Sequence, residues 1–320
     1  MTREITSFFT ARYIPFNHIV LIPMKQITAE LLLTFTVFLW GSSYLFMKLG
    51  METFAPFNLI ALRFGIAFLV AVPFFGKVFY GLRLRTVCSA AVLGLMLFGT
   101  IAFLLYGLTD ESTTGAGFLI GTTVVMVPIL QAVVFSRIPR PPVILGIVLA
   151  LAGILLLTIG TTFVLDMGAV LCLVGAFFCA WQIILTDRYV KTGPALSLGV
   201  LQLGFAGLYG LVFSVLFESP VLPSTGGDWM VILELAVLCS AVGFIGQTVA
   251  QEYTTPERTG LIFSLESVFA AIFGFIVLHE VLPVTGYIGA ALILCGVVIA
   301  VKCDKKIPQN TGPAPDHLRG

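Results

Sequence analysis

Ten stretches of this chain are each long and apolar enough to cross a lipid bilayer as a helix. They lie near residues 29–47, 56–76, 88–107, 115–136, 142–161, 167–186, 195–217, 229–250, 259–279 and 284–301. A bilayer core asks for roughly 17–25 such residues per helix. Helices are the natural reading, because an open sheet leaves backbone groups unpaired in hydrocarbon. Composition agrees: 58% of residues are hydrophobic, 10% are charged and the mean hydropathy is +1.07. A soluble core cannot hide that much apolar surface. The expected class is therefore an all-α integral membrane protein with ten transmembrane helices.

Basic residues give the spans a direction. With the N-terminus inside, fifteen of the seventeen Lys and Arg fall on the inner side, from Arg3, Arg12 and Lys25 through Lys77, Arg83, Arg85, Arg137, Arg140, Arg188, Lys191 and Arg258 to Lys302, Lys305, Lys306 and Arg319. Only Lys48 falls outside, and Arg63 lies within a span. This is the positive-inside pattern. It places both termini in the cytoplasm and the protein in a bacterial-type inner (plasma) membrane. Residues 1–28 form an N-terminal leader without a small-residue cleavage site, and translation from Met24 (MKQITAE) is a second reading of that segment. Residues 302–320 read as a polar, disordered cytoplasmic tail.

The chain repeats itself. Residues 114–127 (TGAGFLIGTTVVMV) align with 257–270 (ERTGLIFSLESVFA), pairing Gly117 with Gly260 at an offset of 143. The same offset pairs Gly146 with Gly289 and Gly153 with Gly296. Residues 29–161 and 162–301 thus read as two five-helix units. Five is odd, so the second enters from the opposite face, an inverted repeat of the kind alternating-access transporters use.

Ionisable groups inside a span are expensive and mark function. Glu266 sits about 12 Å into the ninth span at helical rise, too deep for a short side chain to snorkel. It is the candidate for proton coupling. Arg63 lies about 10 Å inside the second span, toward the other side, and a direct ion pair with Glu266 is not assumed. Trp40, Ser43, Thr123, Trp181, Gln202 and Gln247 complete the expected cavity lining. Gln247 and Gln251 share a helix face, and Gly117 and Gly121 form a small-xxx-small packing pair.

Other chemistry finds little support. His18, His279 and His317 lie away from mid-membrane, and HExxH, Walker and Cys/His motifs are missing. No enzyme activity, cofactor or metal is expected. The six cysteines show no CxxC spacing and read as packing residues. A net charge of +1 implies no nucleic-acid partner. The expected partners are a small-molecule substrate and the bilayer, with a homodimer left open. A non-transporting receptor or assembly protein is the rival reading. A channel is disfavoured, since no charged ring or carbonyl-filter sequence is visible.

Trp40-Gly41-Ser42-Ser43 followed by Lys48, Pro56 followed by Arg63-Phe64, and the closing run 247–299 carry a resemblance. The chain resembles the drug/metabolite transporter superfamily, specifically the EamA-like proteins with two repeats, from about residue 32 to 301. That resemblance implies a ten-helix inverted-repeat fold around a central cavity and transport by alternating access. Many relatives are thought to export amino acids or related solutes, others to handle drugs, sugars or nucleotide derivatives. Two departures stand out. The family's ninth helix usually reads Glu-Pro, but Ser267 follows Glu266 here, putting the expected helix break in doubt. The fourth helix often ends Gly-Glu, but Ser136-Arg137 stand there.

Overall fold

The structure, a computed structural model, describes residues 24–79, 81–109, 113–136, 138–158, 167–278 and 284–303. Its helices are α1 (Gln26–Gly50), α2 (Pro56–Phe75), α3 (Leu84–Leu108), α4 (Gly115–Phe135), α5 (Pro141–Thr158), α6 (Met167–Val190), α7 (Ala195–Phe217), α8 (Gly226–Gln251), α9 (Pro256–Val277) and α10 (Val284–Cys303). Each overlaps one expected span. Several run three or four residues further, because helices continue past the hydrocarbon toward Lys25, Arg85 and Arg188. By length and composition eight of them can cross a membrane, and α5 and α10 are shorter apolar helices. Arg137, His279 and Glu280, the leader up to residue 23 and the tail from residue 304 lie outside the described residues.

Proline opens α2, α5 and α9, where its missing N–H is no loss. Thr225 and Asp228 form a capping box at the start of α8. The start of α2 has no cap of its own and borrows one. Glu218, just past α7, accepts from the Phe57 and Asn58 backbone N–H groups at 2.9 and 2.8 Å. A carboxylate there also suits the positive helix end.

The two halves interleave. The heaviest pairings all join one half to the other: α5 with α10, α2 with α7, α3 with α6 and α7, and α1 with α8 and α9. Replacing each helix by its counterpart five places along maps this pattern onto itself. Thus α1 against α9 becomes α6 against α4, and α2 against α8 becomes α7 against α3, both of which are present. The glycines repeat the symmetry at atomic scale. A Cβ on Gly146 would stand 2.7 Å from the Gly296 carbonyl oxygen, and one on Gly153 would stand 2.5 Å from that of Gly289. The repeat offset exchanges these two contacts. Gly117 and Gly121 of α4 likewise admit Ala270 and Ser267 of α9.

The end of the bundle carrying Lys25, Arg83 and Arg188, here the basic end, has one correction to the sequence reading. Arg258, expected in a loop, is 2% exposed and pairs with Glu30, 5% exposed. It also donates to the Ala300 carbonyl, so α1, α9 and α10 meet there. Arg258 occupies the first turn of α9 and Glu30 the second turn of α1, near helix ends where a flanking charge can turn inward to meet its opposite.

Two outcomes follow from these contacts. Gly296→Ala forces the α5–α10 backbones apart and costs about 1–3 kcal/mol, read as a lower melting temperature in detergent. Gly65→Ala, which meets nothing within 4 Å, leaves that temperature unchanged or higher. Arg258→Met strands the Glu30 carboxylate and costs about 3–5 kcal/mol, most of which Glu30→Leu in the same chain restores. Melting curves of the single and double variants measure this.

Candidate functional site

The symmetric packing leaves a chamber between the halves. It is bounded by α1, α2, α3, α4, α6, α8 and α9, and is narrow, with a cavity volume of about 30 Å³. Trp40, Ser43, Tyr44, Arg63, Gln182 and Glu266 bring polar groups to its wall, among apolar residues including Leu97, Ile101, Phe244 and Phe263.

Ser43 bonds back to the Trp40 carbonyl of its own helix at 2.8 Å, and the other polar groups are held by another helix. The Trp40 indole N–H donates to the Cys239 carbonyl of α8 at 2.8 Å. Its ring lies against Phe244 and Phe263, with centroids 4.6 and 5.0 Å away. Gly243 makes room for it, since a Cβ there would fall 2.6 Å from the indole nitrogen. The Tyr44 hydroxyl donates to Glu266 Oε1 at 2.7 Å. Arg63, 1% exposed, donates through Nε to Ser240 Oγ at 2.7 Å and through Nη1 to the Met47 sulfur at 3.3 Å. Among the described residues no ion pair within 4 Å joins Arg63 to Glu266.

Toward the basic end lies a glutamine cluster. Gln182 donates to Gln202 Oε1 at 3.3 Å and accepts from Gln247 at 2.8 Å. Gln202 donates to Thr248 at 2.7 Å, and Gln247 donates to Gln251 at 2.9 Å. Gln202 and Gln247 therefore reach the chamber only through Gln182. Thr123 is buried beside it and donates to the Ile120 carbonyl at 2.6 Å, within reach of the Ala176 carbonyl of α6. Trp181 is not brought to the chamber. It packs edge-on against Phe135 and Phe177 on the outer face of α6, because its neighbour Gln182 takes the inward direction.

Helices α4 and α9 are both interrupted beside the chamber, at Thr122 and at Ser264. The two breaks share one chemistry. Thr122 Oγ1 donates to the Leu119 carbonyl and Ser264 Oγ to the Leu261 carbonyl, each at 2.6 Å. A hydroxyl bonded back along its own helix competes with the backbone ladder. The α9 break thus forms without the proline whose absence put it in doubt. Glu266 falls in the first turn of the segment Leu265–Leu278, where the helix N-terminus favours negative charge. Paired interruptions at matching places in two halves are the structural mark of a transporter site.

Tyr44, Glu234 and Ser240 escaped the sequence reading. Tyr44 follows Trp40 by four, so it shares that helix face. Glu234 was open to a plain count of acidic residues within the eighth span. Ser240 carried no signal, because its role depends on Arg63 crossing from α2.

Ser267 offers a check on the break. Its Oγ donates to the Gly117 carbonyl of α4 at 2.9 Å. It is the third residue of the segment Leu265–Leu278, in the first helical turn, where proline is tolerated. Ser267→Pro should therefore fold to a monodisperse species, whereas proline inside an intact helix costs about 3 kcal/mol or more. Ser267→Ala should cost about 0.5–1.5 kcal/mol for the lost bond. Size-exclusion profiles and melting temperatures measure both.

Comparison with known proteins agrees with this architecture. A protein of Archaeoglobus fulgidus described as an uncharacterized transporter is 29% identical over 276 residues, 86% of each chain. The uncharacterized transporter YcxC of Bacillus subtilis is 26% identical over 302 residues, covering 87% of this chain and 94% of its own. A crystal structure superposes with a TM-score of 0.71 at 20% identity, covering 86% of this chain and 99% of the other, a likeness of fold alone. The EamA-like transporter family matches twice, over residues 27–159 and 166–302. The chain therefore belongs to the EamA-like transporter family and is an all-α integral membrane protein of two inverted five-helix repeats.

Proposed function

We propose that this protein is a secondary active transporter that exports a small metabolite, such as an amino acid or related solute, by alternating access. The chamber between the repeats, set at the paired breaks of α4 and α9, carries this reading. Its wall offers a guanidinium at Arg63, a carboxyl at Glu266 and aromatic faces at Trp40, Phe244 and Phe263. That set suits a zwitterion with an apolar body: carboxylate toward Arg63, ammonium toward Glu266, side chain against the rings. The proposed setting is a bacterial-type inner membrane with both termini cytoplasmic, supported by the basic end. Membership of a transporter family supports transport itself.

Glu266 is the proposed proton-coupling group. Competition of substrate and proton for this one carboxyl would make their binding mutually exclusive, which is the requirement for exchange.

A thermal-shift panel of amino acids, sugars and drugs on purified protein identifies a ligand, and proteoliposome flux follows with each hit. An amino acid is expected to raise the melting temperature and to move down an imposed pH gradient. Glu266→Gln is expected to abolish the response of flux to that gradient. Normal flux by Glu266→Gln at every pH tested ends the coupling role. Binding without any flux favours a receptor.

A further inference from the structure

Glu234 has no part in the chamber as described, yet it lies within a span. It stands eight residues past the start of α8, about 12 Å along it at helical rise. Its Oε1 accepts from Ser42 Oγ of α1 at 3.0 Å and from Cys239 Sγ at 3.2 Å. Its Oε2 is buried without a donor.

The backbone ties this carboxyl to the chamber. Glu234 opens a nine-residue π-helical stretch, Glu234–Val242. Such wide turns are rare and recur at functional sites. This one supplies the Cys239 carbonyl that holds Trp40 and the Ser240 hydroxyl that holds Arg63. Arg63 shares the chamber wall with Glu266 of α9 and bonds Ser240 of the stretch that Glu234 opens, so it lies within electrostatic range of both carboxyls. It is ion-paired within 4 Å to neither among the described residues. Its bonds to a hydroxyl and a thioether leave much of a five-donor guanidinium unused.

Charge does not balance in this group. One cation faces two acids, whereas buried Glu30 is paired with buried Arg258 and buried Asp187 with the exposed Lys191. The remaining titratable neighbours are Tyr44 on α1, Cys179 on α6 and Cys239 on α8. With ordinary values of about 8.5 for thiols and 10 for phenols, all three are neutral at neutral pH. A second ionised carboxylate here would be uncompensated in a low-dielectric interior, and taking up a proton removes that cost.

We infer that Glu234, Arg63 and Glu266 act as one linked unit holding a single proton, with Arg63 able to neutralise either carboxylate. The proton rests on whichever acid the guanidinium leaves. Movement of Arg63 from the α8 side to the α9 side then moves the proton's site from Glu266 to Glu234. The unit deepens the transport reading, since it supplies a second acid for the coupling assigned to Glu266. Its test counts protons rather than flux, so the two can fail separately.

Infrared difference spectroscopy of the protein in lipid at neutral pH reads the carbonyl stretch of protonated carboxyls. Relative to wild type, Glu234→Gln and Glu266→Gln should each lose one carboxyl's worth of band area, because the remaining acid ionises against Arg63. Arg63→Gln should gain one, because both acids then hold protons. The two Glu→Gln variants are near-isosteric and carry the test if Arg63→Gln does not fold. A full band retained in Glu234→Gln overturns the inference, as does an unchanged band in a folded Arg63→Gln.

Discussion

A polar side chain inside hydrocarbon has no water to turn to, so it bonds back along its own helix where a hydroxyl can, or takes its partner from another helix. The rest of this structure follows from that requirement. Trp40 reaches α8, Tyr44 reaches α9, Arg63 crosses from α2 to α8, and Ser267 crosses from α9 to α4. These bonds place the helices relative to one another as much as the glycine contacts do. They also define the chamber, since the groups that cross the interior are the ones that wall it.

The same requirement explains the broken helices. An interruption of the backbone ladder at membrane depth is tolerated only where it is buried in protein or lines a cavity. Thr122 and Ser264 absorb the interruption with their own hydroxyls. Such breaks bring backbone polarity to the chamber without charge. They also divide α4 and α9 into two shorter helical segments each. The π-helical stretch of α8 is a third departure from regular helix around the same space. Helices α5 and α10, away from this space, meet through glycine and aliphatic surface.

Much of the architecture was legible in the residues. Ten apolar runs, the glycine repeat at Gly146, Gly153, Gly289 and Gly296, and the buried charge at Glu266 are one-dimensional signals. Their physical causes, bilayer thickness and backbone self-satisfaction, act on each helix alone. Less legible was which polar residues meet. Trp40 and Trp181 look alike in sequence, yet one lines the chamber and the other faces outward. Arg258 reads as a loop charge and is instead buried against Glu30. The family's proline after Glu266 is missing, yet α9 is interrupted at Ser264, two residues before Glu266. Partnership between helices depends on rotation about the helix axis, and a difference of one residue turns a side chain by about 100°.

Hydropathy and repeat settle that the chain is helical, membrane-embedded and duplicated, because each depends on the solvent around a single segment. The direction of every interior side chain waits on the bundle. Only there do Tyr44 and Glu266, separated by 222 positions, come within 2.7 Å, and only there do Arg63 and Glu234 become neighbours. Such contacts join helices from opposite halves and arise from rigid packing around a pseudo-two-fold axis. That geometry is a property of all ten helices together, and no stretch of the chain carries it alone.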